Sequence, residues 1–395
     1  MFSSVGGRSR VSTPVLLSIG FRPFFLLAAL FAALGVPIWL HIYSGGAGYS
    51  GHLAGSLWHG HEMVFGFAVA VFAGFLLTAA QNWTGRTTAA DLPLGALALL
   101  WIVARVLLLV EDDSLLWPAI AADLLFLPAL AVILLRPILL ARNRRNVLFP
   151  AALLVLTAVD LGLHLSALGF LPWDPSGLLQ ASLDLMALMM VIMGGRVIPF
   201  FTRNVLPERG IASWNAVDWA AIAGAAAIVV VQPFAGSGPV LGAVALAAGV
   251  INLIRMIPWK GWAAWRQPIL VVLHLGYLWL PIAFLLRGAA TFEWLPAAAA
   301  IHALGAGAIG TLTLGMMSRV ALGHSGRAII AAPLTVIAYG LVLLAGVLRV
   351  ASVFDGDALL HVSAACWVLG WICFLIVYAP ICGGSSAAER RAVHN

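Results

Sequence analysis

Histidines and acidic residues inside long apolar segments are the feature of this sequence with the clearest chemical potential. Ionisable side chains at membrane depth are costly to bury and usually serve a site. The densest group is the segment WHGHEM, in which His59 and His61 flank Gly60 and precede Glu62. Residues two apart on an α-helix lie about 200° apart, so the two rings face opposite sides. Packing near the outer interface is the alternative, but the pair with its glutamate favours one helix serving two neighbouring sites.

A second candidate is His302, which begins the segment HALGAGAIG. Gly305, Gly307 and Gly310 are the smallest residues available on that helix. They allow close helix packing, or they leave a flat recess beside the histidine for a planar macrocycle. Haem iron and copper both accept imidazole ligands. The histidine therefore favours the recess.

Two histidines lie nearer the inner side of the membrane. His274 is roughly 9 Å from the inner start of its helix at 1.5 Å per residue. It is therefore expected at a different depth from His59 and His61, unless tilt or a broken helix brings them together. His324, in the segment LGHSGR, lies in a loop beside Arg319 and Arg327. It either caps the loop or, with these arginines, contacts a haem propionate.

Several acidic residues within the helices have two open interpretations. Asp160 and His164 lie one helical turn apart and are expected to form a pair. Glu62, Asp123 and Asp184 are candidates for a proton path, or for ion pairs with arginines such as Arg105.

Twelve segments are long and apolar enough to position these residues as membrane helices, each of which needs about 20 residues. Of the 395 residues, 63% are hydrophobic and 9% are charged, against about 25% charged in globular domains. This composition excludes a soluble enzyme, a secreted disulfide scaffold and a disordered chain. The sequence predicts an all-α, polytopic membrane helical bundle. Its helices are predicted at approximately Phe21–Tyr43, Ser56–Ala80, Leu92–Val110, Leu115–Leu135, Val147–Phe170, Gly177–Phe200, Val217–Phe234, Pro239–Ile257, Pro268–Arg287, Trp294–Met317, Ala328–Val350 and Ala358–Pro380.

The basic residues predict the orientation of this bundle. With a cytoplasmic start, all but three of the 21 Lys and Arg residues fall on the inner side, as the positive-inside rule requires. The exceptions are Arg105, Arg287 and Arg349. Both termini are therefore predicted to be cytoplasmic, and residues 1–395 to form a single transmembrane domain with short polar ends at 1–18 and 383–395. The scattered placement of the basic residues argues against binding to nucleic acid.

Six motifs together resemble the NnrS family of bacterial membrane proteins. They are GFRPFF from Gly20, WHGHEMVFGF from Trp58, GFLLTAAQNWTGR from Gly74, GGRVIPFFTRN from Gly194, LHLGYLW from Leu273 and HALGAGAIGTLTLGMMSRVALGHSGR from His302. The resemblance implies a multi-pass protein of the bacterial cytoplasmic (inner) membrane. It also implies bound haem, expected to be b-type, together with copper, and production in response to nitric oxide. The one departure is Ser325, where the family often has threonine.

The resemblance also implies that the family's histidine positions fall on His59, His61, His274, His302 and His324. The predicted metal ligands are His59, His61, His274 and His302. The predicted cofactor contacts are these four histidines together with His324, Arg196, Arg319 and Arg327. Glu62 is the predicted catalytic group, which delivers protons or orients a ligand.

The favoured functional hypothesis is an oxidoreductase that couples two nitric oxide molecules into nitrous oxide, in denitrification or in defence against nitrosative stress. Its electrons would come from a quinol or a soluble redox protein. One alternative is a transporter or metal-handling protein without haem, which predicts a central polar cavity. Another is a scavenger or sensor that binds nitric oxide without turnover.

Overall fold

The computed structural model describes residues 15–45, 51–53, 55–235 and 238–384. These residues form twelve long helices joined by short turns, with no strand among them. The helices are α1 (Phe21–Tyr43), α2 (Ser56–Thr84), α3 (Asp91–Leu107), α4 (Leu116–Leu140), α5 (Leu148–Ala167), α6 (Pro175–Val205), α7 (Asn215–Ala235), α8 (Pro239–Met256), α9 (Pro268–Thr291), α10 (Ala297–His324), α11 (Pro333–Asp355) and α12 (Asp357–Gly383).

The predicted all-α membrane bundle is confirmed, and each predicted segment overlaps one observed helix. Eleven of the twelve described helices are long and apolar enough by themselves to cross a membrane. The remaining one, α3, has 17 residues, which is about 25 Å at 1.5 Å per residue. Large apolar side chains such as Leu92 and Phe234 point outward with 81% and 89% of their surface exposed, as expected of a surface that contacts lipid.

Helices that follow one another in sequence pack as neighbours, because the connections between them are short. The bundle closes where α1 packs against α12. Among the eleven spans, α2 is the most enclosed, with 83% of its apolar window buried. The helix that carries the densest group of ionisable residues is therefore also the best shielded from lipid.

The start of α1 and the end of α12 lie side by side. The buried guanidinium of Arg22 donates hydrogen bonds to the carbonyl oxygens of Cys382 and Gly384, over 2.8 and 2.7 Å. Both ends of the bundle are therefore on the same side, as twelve crossings require. The predicted polar ends, 1–18 and 383–395, lie mostly outside the described residues.

A close backbone contact sets the position of α10 against α9. A Cβ atom added at Gly276 would lie only 2.7 Å from the backbone nitrogen of Leu312. A glycine at this point lets the two helices approach closely, as small residues do in membrane proteins. This contact fixes the depth of His302 relative to the residues of α9.

We expect Gly276→Ala to lower the melting temperature of the detergent-purified protein, because the added methyl group forces α9 and α10 apart. Overpacking of this kind costs roughly 1–3 kcal/mol. Gly340→Ala is the matched control, since Gly340 is also inside a helix but nothing lies within 4 Å of its Cβ position. Equal melting temperatures for the two variants would contradict the close contact.

Candidate functional site

The two histidines of α2 face opposite sides of the helix, as their spacing predicts. The ring of His59 stacks on Trp39 of α1, with ring centroids 4.2 Å apart, and it lines a cavity. The ring of His61 is fully buried, and its nitrogens lie 3.0–3.1 Å from oxygens of three carboxylates. One helix therefore contributes to two different sites.

α2 and α10 each place a histidine on this cavity. In both helices the backbone hydrogen-bonding pattern changes shortly after that histidine. Segments of π-helix occupy Glu62–Ala68 of α2 and Ala303–Ile309 of α10. Such segments are rare and frequently lie at functional sites. The sequence does not predict them, although glycines lie within both. The wider turns displace the following residues from the regular α-helical register, next to both candidate histidines.

The cavity, which we call the histidine cavity, is lined by His59, His302 and Arg349 together with mainly apolar side chains. It lies between α1, α2, α6, α10, α11 and α12, has room of about 130 Å³ for the centres of water-sized molecules, and is partly open at the protein surface. The apolar walls include Val36, Val64, Phe67, Leu183, Ile309 and Trp367. Such a cavity suits a largely apolar ligand held by a few polar groups.

The ring nitrogens in the histidine cavity are available to a ligand. Nδ1 of His302 donates to the carbonyl oxygen of Ala298 over 2.7 Å, and this bond leaves Nε2 of the neutral ring with a free lone pair. Nδ1 of His59 is buried and has no hydrogen-bond partner among the described residues. An unpaired buried nitrogen is unfavourable by itself, so a bound group would satisfy it.

Both interpretations of the small residues in α10 hold, for different glycines. Nothing lies within 4 Å of the Cβ position at Gly305, which lines the cavity beside His302. By contrast, Gly307 packs closely against Trp279, and Gly310 against Trp367. The predicted recess is therefore present at Gly305, and close helix packing surrounds it.

On the other face of α2 lies a second group, which we call the polar cluster: His61, Glu62, Arg105, Asp123, Asp160 and His164. Every member is at least 95% buried. Nε2 of His61 lies 3.0 Å from Asp123 and 3.1 Å from Asp160, and Nε2 of His164 lies 3.2 and 3.7 Å from the same two carboxylates. The four groups converge on one point between α2, α4 and α5.

Arg105 holds the polar cluster from the side of α3. Its guanidinium forms an ion pair with Glu62 over 2.7 Å and a second ion pair with Asp123. The cluster contains three carboxylates and one guanidinium, so neutral imidazoles leave two negative charges uncompensated. Buried charge without compensation is strongly unfavourable, so further positive charge is expected in the cluster, carried by bound protons or by a cation.

His52 covers the cluster from a loop outside the helices. Its Nε2 lies 2.9 Å from Nδ1 of His164. Burial, and then the neighbouring rings of His164 and His61, lower the pKa of His52 to about 4. The ring is therefore neutral near pH 7 and is able to accept a hydrogen bond from His164.

A family model described as NnrS protein matches residues 15–384 of this chain. The chain belongs to the NnrS family. Membership links this membrane protein to the nitric oxide response. The comparison with curated proteins gives no match.

Of the predicted metal ligands, His59 and His302 share a site, whereas His274 does not join them. His274 lies beside Thr202, whose hydroxyl is 3.0 Å from Nε2. Because Gly276 faces Leu312 across α9 and α10, His274 is roughly 18 Å from His302 along the bundle, at 1.5 Å per residue. The two histidines therefore do not bind one metal ion.

The other predicted cofactor contacts lie at the end of the bundle where α1 begins and α12 ends. His324 ends α10 and contacts Asn82 at the end of α2, roughly 30 Å along α10 from His302. Of the remaining three, Arg196 is hydrogen-bonded to Asn146, Arg319 stacks on Phe201, and Arg327 is exposed. None of these four lines the histidine cavity.

The residues that the sequence does not assign to a site share one recognisable signal. Arg105, Arg287 and Arg349 are the three exceptions to the positive-inside count. The structure places Arg105 in the polar cluster, Arg349 on the histidine cavity, and Arg287 in an ion pair with Asp184. These three arginines thus contact buried carboxylates or line a cavity, and do not lie in loops. Pairing with arginine is confirmed for Glu62, Asp123 and Asp184.

We expect Arg105→Ala to destabilise the protein by about 3–5 kcal/mol, because it leaves Glu62 and Asp123 buried without their cation. The measurement is thermal or denaturant unfolding in detergent. Arg209→Ala is the matched control, since it removes an exposed arginine that pairs with Glu208, and its stability is expected to be unchanged. Adding Glu62→Gln to Arg105→Ala is expected to restore part of the loss. A stable Arg105→Ala protein would show that the cluster does not depend on this cation.

Proposed function

We propose that this protein is a haem-containing oxidoreductase of the bacterial cytoplasmic membrane that binds nitric oxide and reduces it to nitrous oxide. The observation that carries the proposal is the histidine cavity, where His59 of α2 and His302 of α10 line one mainly apolar space. The family link to the nitric oxide response supports nitric oxide as the proposed substrate.

The residues around the histidine cavity fit a haem. Imidazole is a common axial ligand of haem iron, and apolar walls suit the macrocycle while cations suit its propionates. The cavity offers the rings of His59 and His302, the open space at Gly305, and the guanidinium of Arg349. A bound haem would supply an iron that binds nitric oxide and changes its oxidation state.

The chain itself contributes an entry route and a proton source to this proposal. Nitric oxide is small and apolar, so it can reach an apolar cavity directly from lipid. Joining two molecules of nitric oxide into nitrous oxide and water consumes two electrons and two protons. Glu62 is the proposed proton-relaying group: Arg105 binds Oε1, while Oε2 is buried without a partner among the described residues and is where a proton would be taken up and passed on. Its neighbours Met63 and Val64 line the cavity. The electrons are proposed to come from a quinol or a soluble redox protein.

Copper, the second expected metal, requires ligands other than the two cavity histidines if these hold a haem. Of the other predicted metal ligands, His61 lies on the opposite face of α2, and His274 lies near the inner side. His61 is therefore the predicted residue to which we assign a second metal.

The lining of the histidine cavity favours this proposal over transport. A transporter for a metal ion or a polar solute is expected to have a central polar cavity, whereas the walls here are mainly apolar. A scavenger or sensor has the same cavity but no turnover, so only activity distinguishes it from an enzyme.

We expect the purified protein to show a Soret band, and His59→Ala and His302→Ala each to reduce or shift it because each removes an imidazole from the cavity. His361→Ala is the matched control, since His361 is an exposed helical histidine bonded to the carbonyl of Asp357. Anaerobic addition of nitric oxide and a reductant should then produce nitrous oxide, measured by gas chromatography. Absence of haem would end the proposal, and binding without nitrous oxide would identify a scavenger.

Filling the recess provides an independent test of where the haem binds. We expect Gly305→Leu to reduce haem content per chain, because its side chain would occupy the open space beside His302. Gly340→Leu is the control, since Gly340 also has open space at its Cβ position but lies on the exposed surface. Equal haem content in the two purified variants would place the haem elsewhere.

A further inference from the structure

The four inward-facing atoms of the polar cluster have the spacing of a metal coordination shell. Nε2 of His61, Nε2 of His164, Oδ2 of Asp123 and Oδ1 of Asp160 lie within 4.8 Å of one another. The four nitrogen-to-oxygen distances are 3.0, 3.1, 3.2 and 3.7 Å. Ligands about 2.0–2.1 Å from a tetrahedral metal are about 3.3 Å apart. Four of the six edges of such a tetrahedron are therefore approximately matched by these nitrogen-to-oxygen distances.

A network of hydrogen bonds explains this arrangement less well than a cation does. Nε2 of His61 faces carboxylate oxygens of both Asp123 and Asp160, yet it carries at most one proton. Nε2 of His164 faces the same two carboxylates. Carboxylates accept hydrogen bonds only, so two ring nitrogens cannot fully satisfy four contacts. A divalent cation at the centre satisfies all four at once.

The outward nitrogens of both rings are bound in the way that metal-ligating histidines require. Nδ1 of His61 lies 3.1 Å from Oε1 of Glu62, and Nδ1 of His164 lies 2.9 Å from Nε2 of His52. A histidine that ligates through Nε2 donates Nδ1–H to such an acceptor, which fixes its tautomer and orientation. Arg105 in turn holds Glu62. The supporting contacts of a metal site are therefore present.

The charge of the cluster points to a divalent ion. Glu62, Asp123 and Asp160 carry three negative charges, and Arg105 compensates one of them. A divalent cation neutralises the remaining two without protonating any imidazole. Both nitrogens would then remain available as ligands.

We propose that the polar cluster binds a divalent transition-metal ion through His61, His164, Asp123 and Asp160. Two imidazoles and two carboxylates suit Zn²⁺, Co²⁺ or Cu²⁺, whereas Cu⁺ prefers sulfur ligands and Mg²⁺ or Ca²⁺ prefers oxygen alone. This site deepens the proposed assignment of a second metal to His61, and it is independent of the proposed haem because it lies on the opposite face of α2 from the histidine cavity and uses neither His59 nor His302.

The test is metal analysis of the full chain, purified in detergent through a tag without histidines, from cells supplied with Zn²⁺ or Co²⁺. We expect about one non-haem metal ion per chain by mass spectrometry, after haem iron is measured separately and subtracted. The Co²⁺-loaded protein should show the visible absorption of tetrahedral cobalt in its difference spectrum against the Zn²⁺-loaded protein.

The variants Asp160→Asn and His164→Ala are expected to lower metal affinity by at least about ten-fold. Asp357→Asn and His361→Ala are the matched controls, because that pair has the same spacing on α12 and His361 is exposed. If His164→Ala does not fold, Asp160→Asn gives the same readout while keeping the shape of the side chain.

If Asp160→Asn loses the non-haem metal but keeps the haem signal, this metal site is separate from the histidine cavity. A wild-type chain without non-haem metal, or equal metal content in Asp160→Asn and Asp357→Asn, would overturn the proposal. Absence of haem with the metal still present would contradict the proposed function but leave this site supported.

Discussion

The two candidate sites of this protein arise because one buried helix, α2, points His59 and His61 in opposite directions. Each residue of an α-helix turns by about 100°, so His59 and His61 cannot share a site on α2. Each ring must therefore be met by other helices. His302 of α10 and Arg349 of α11 meet His59 across an apolar cavity, whereas Asp123 of α4 and His164 of α5 meet His61 in a polar cluster. The enclosed position of α2 makes both encounters possible, because it has neighbours on nearly every side.

The high cost of buried charge explains the organisation of the polar cluster. In a medium of low dielectric constant, carboxylates persist only with cations and hydrogen-bond donors around them. Arg105 of α3 contacts two of the three carboxylates, those of Glu62 and Asp123. Both histidine rings face Asp123 and the third carboxylate, Asp160. Only the thickness of α2, about 10 Å, separates the cluster from the histidine cavity. Charges at that distance interact by about 1–2 kcal/mol at an effective dielectric constant near 20, so a change of charge on one side is felt on the other.

The three arginines that do not fit the positive-inside count indicate where buried polar contacts lie. The positive-inside rule describes residues in loops, where lysine and arginine remain hydrated. Arg105, Arg287 and Arg349 do not follow it because carboxylates or a cavity within the bundle hold their side chains. The three arginines that depart from the predicted count therefore mark buried ion pairs and the histidine cavity.

The sequence by itself determined the helices, their number and the opposite directions of His59 and His61, because hydropathy and the helical turn are local properties. It also indicated a recess beside His302, but only the structure showed that Gly305 leaves space there while Gly307 and Gly310 pack against tryptophans. Only the tertiary structure decided which residues meet. Asp123 and His164 belong to helices that pack beside α2, and His274 is displaced from His302 by the antiparallel register of α9 and α10. The rotation and depth of packed helices arise from contacts between segments distant in the chain, and no local pattern specifies them.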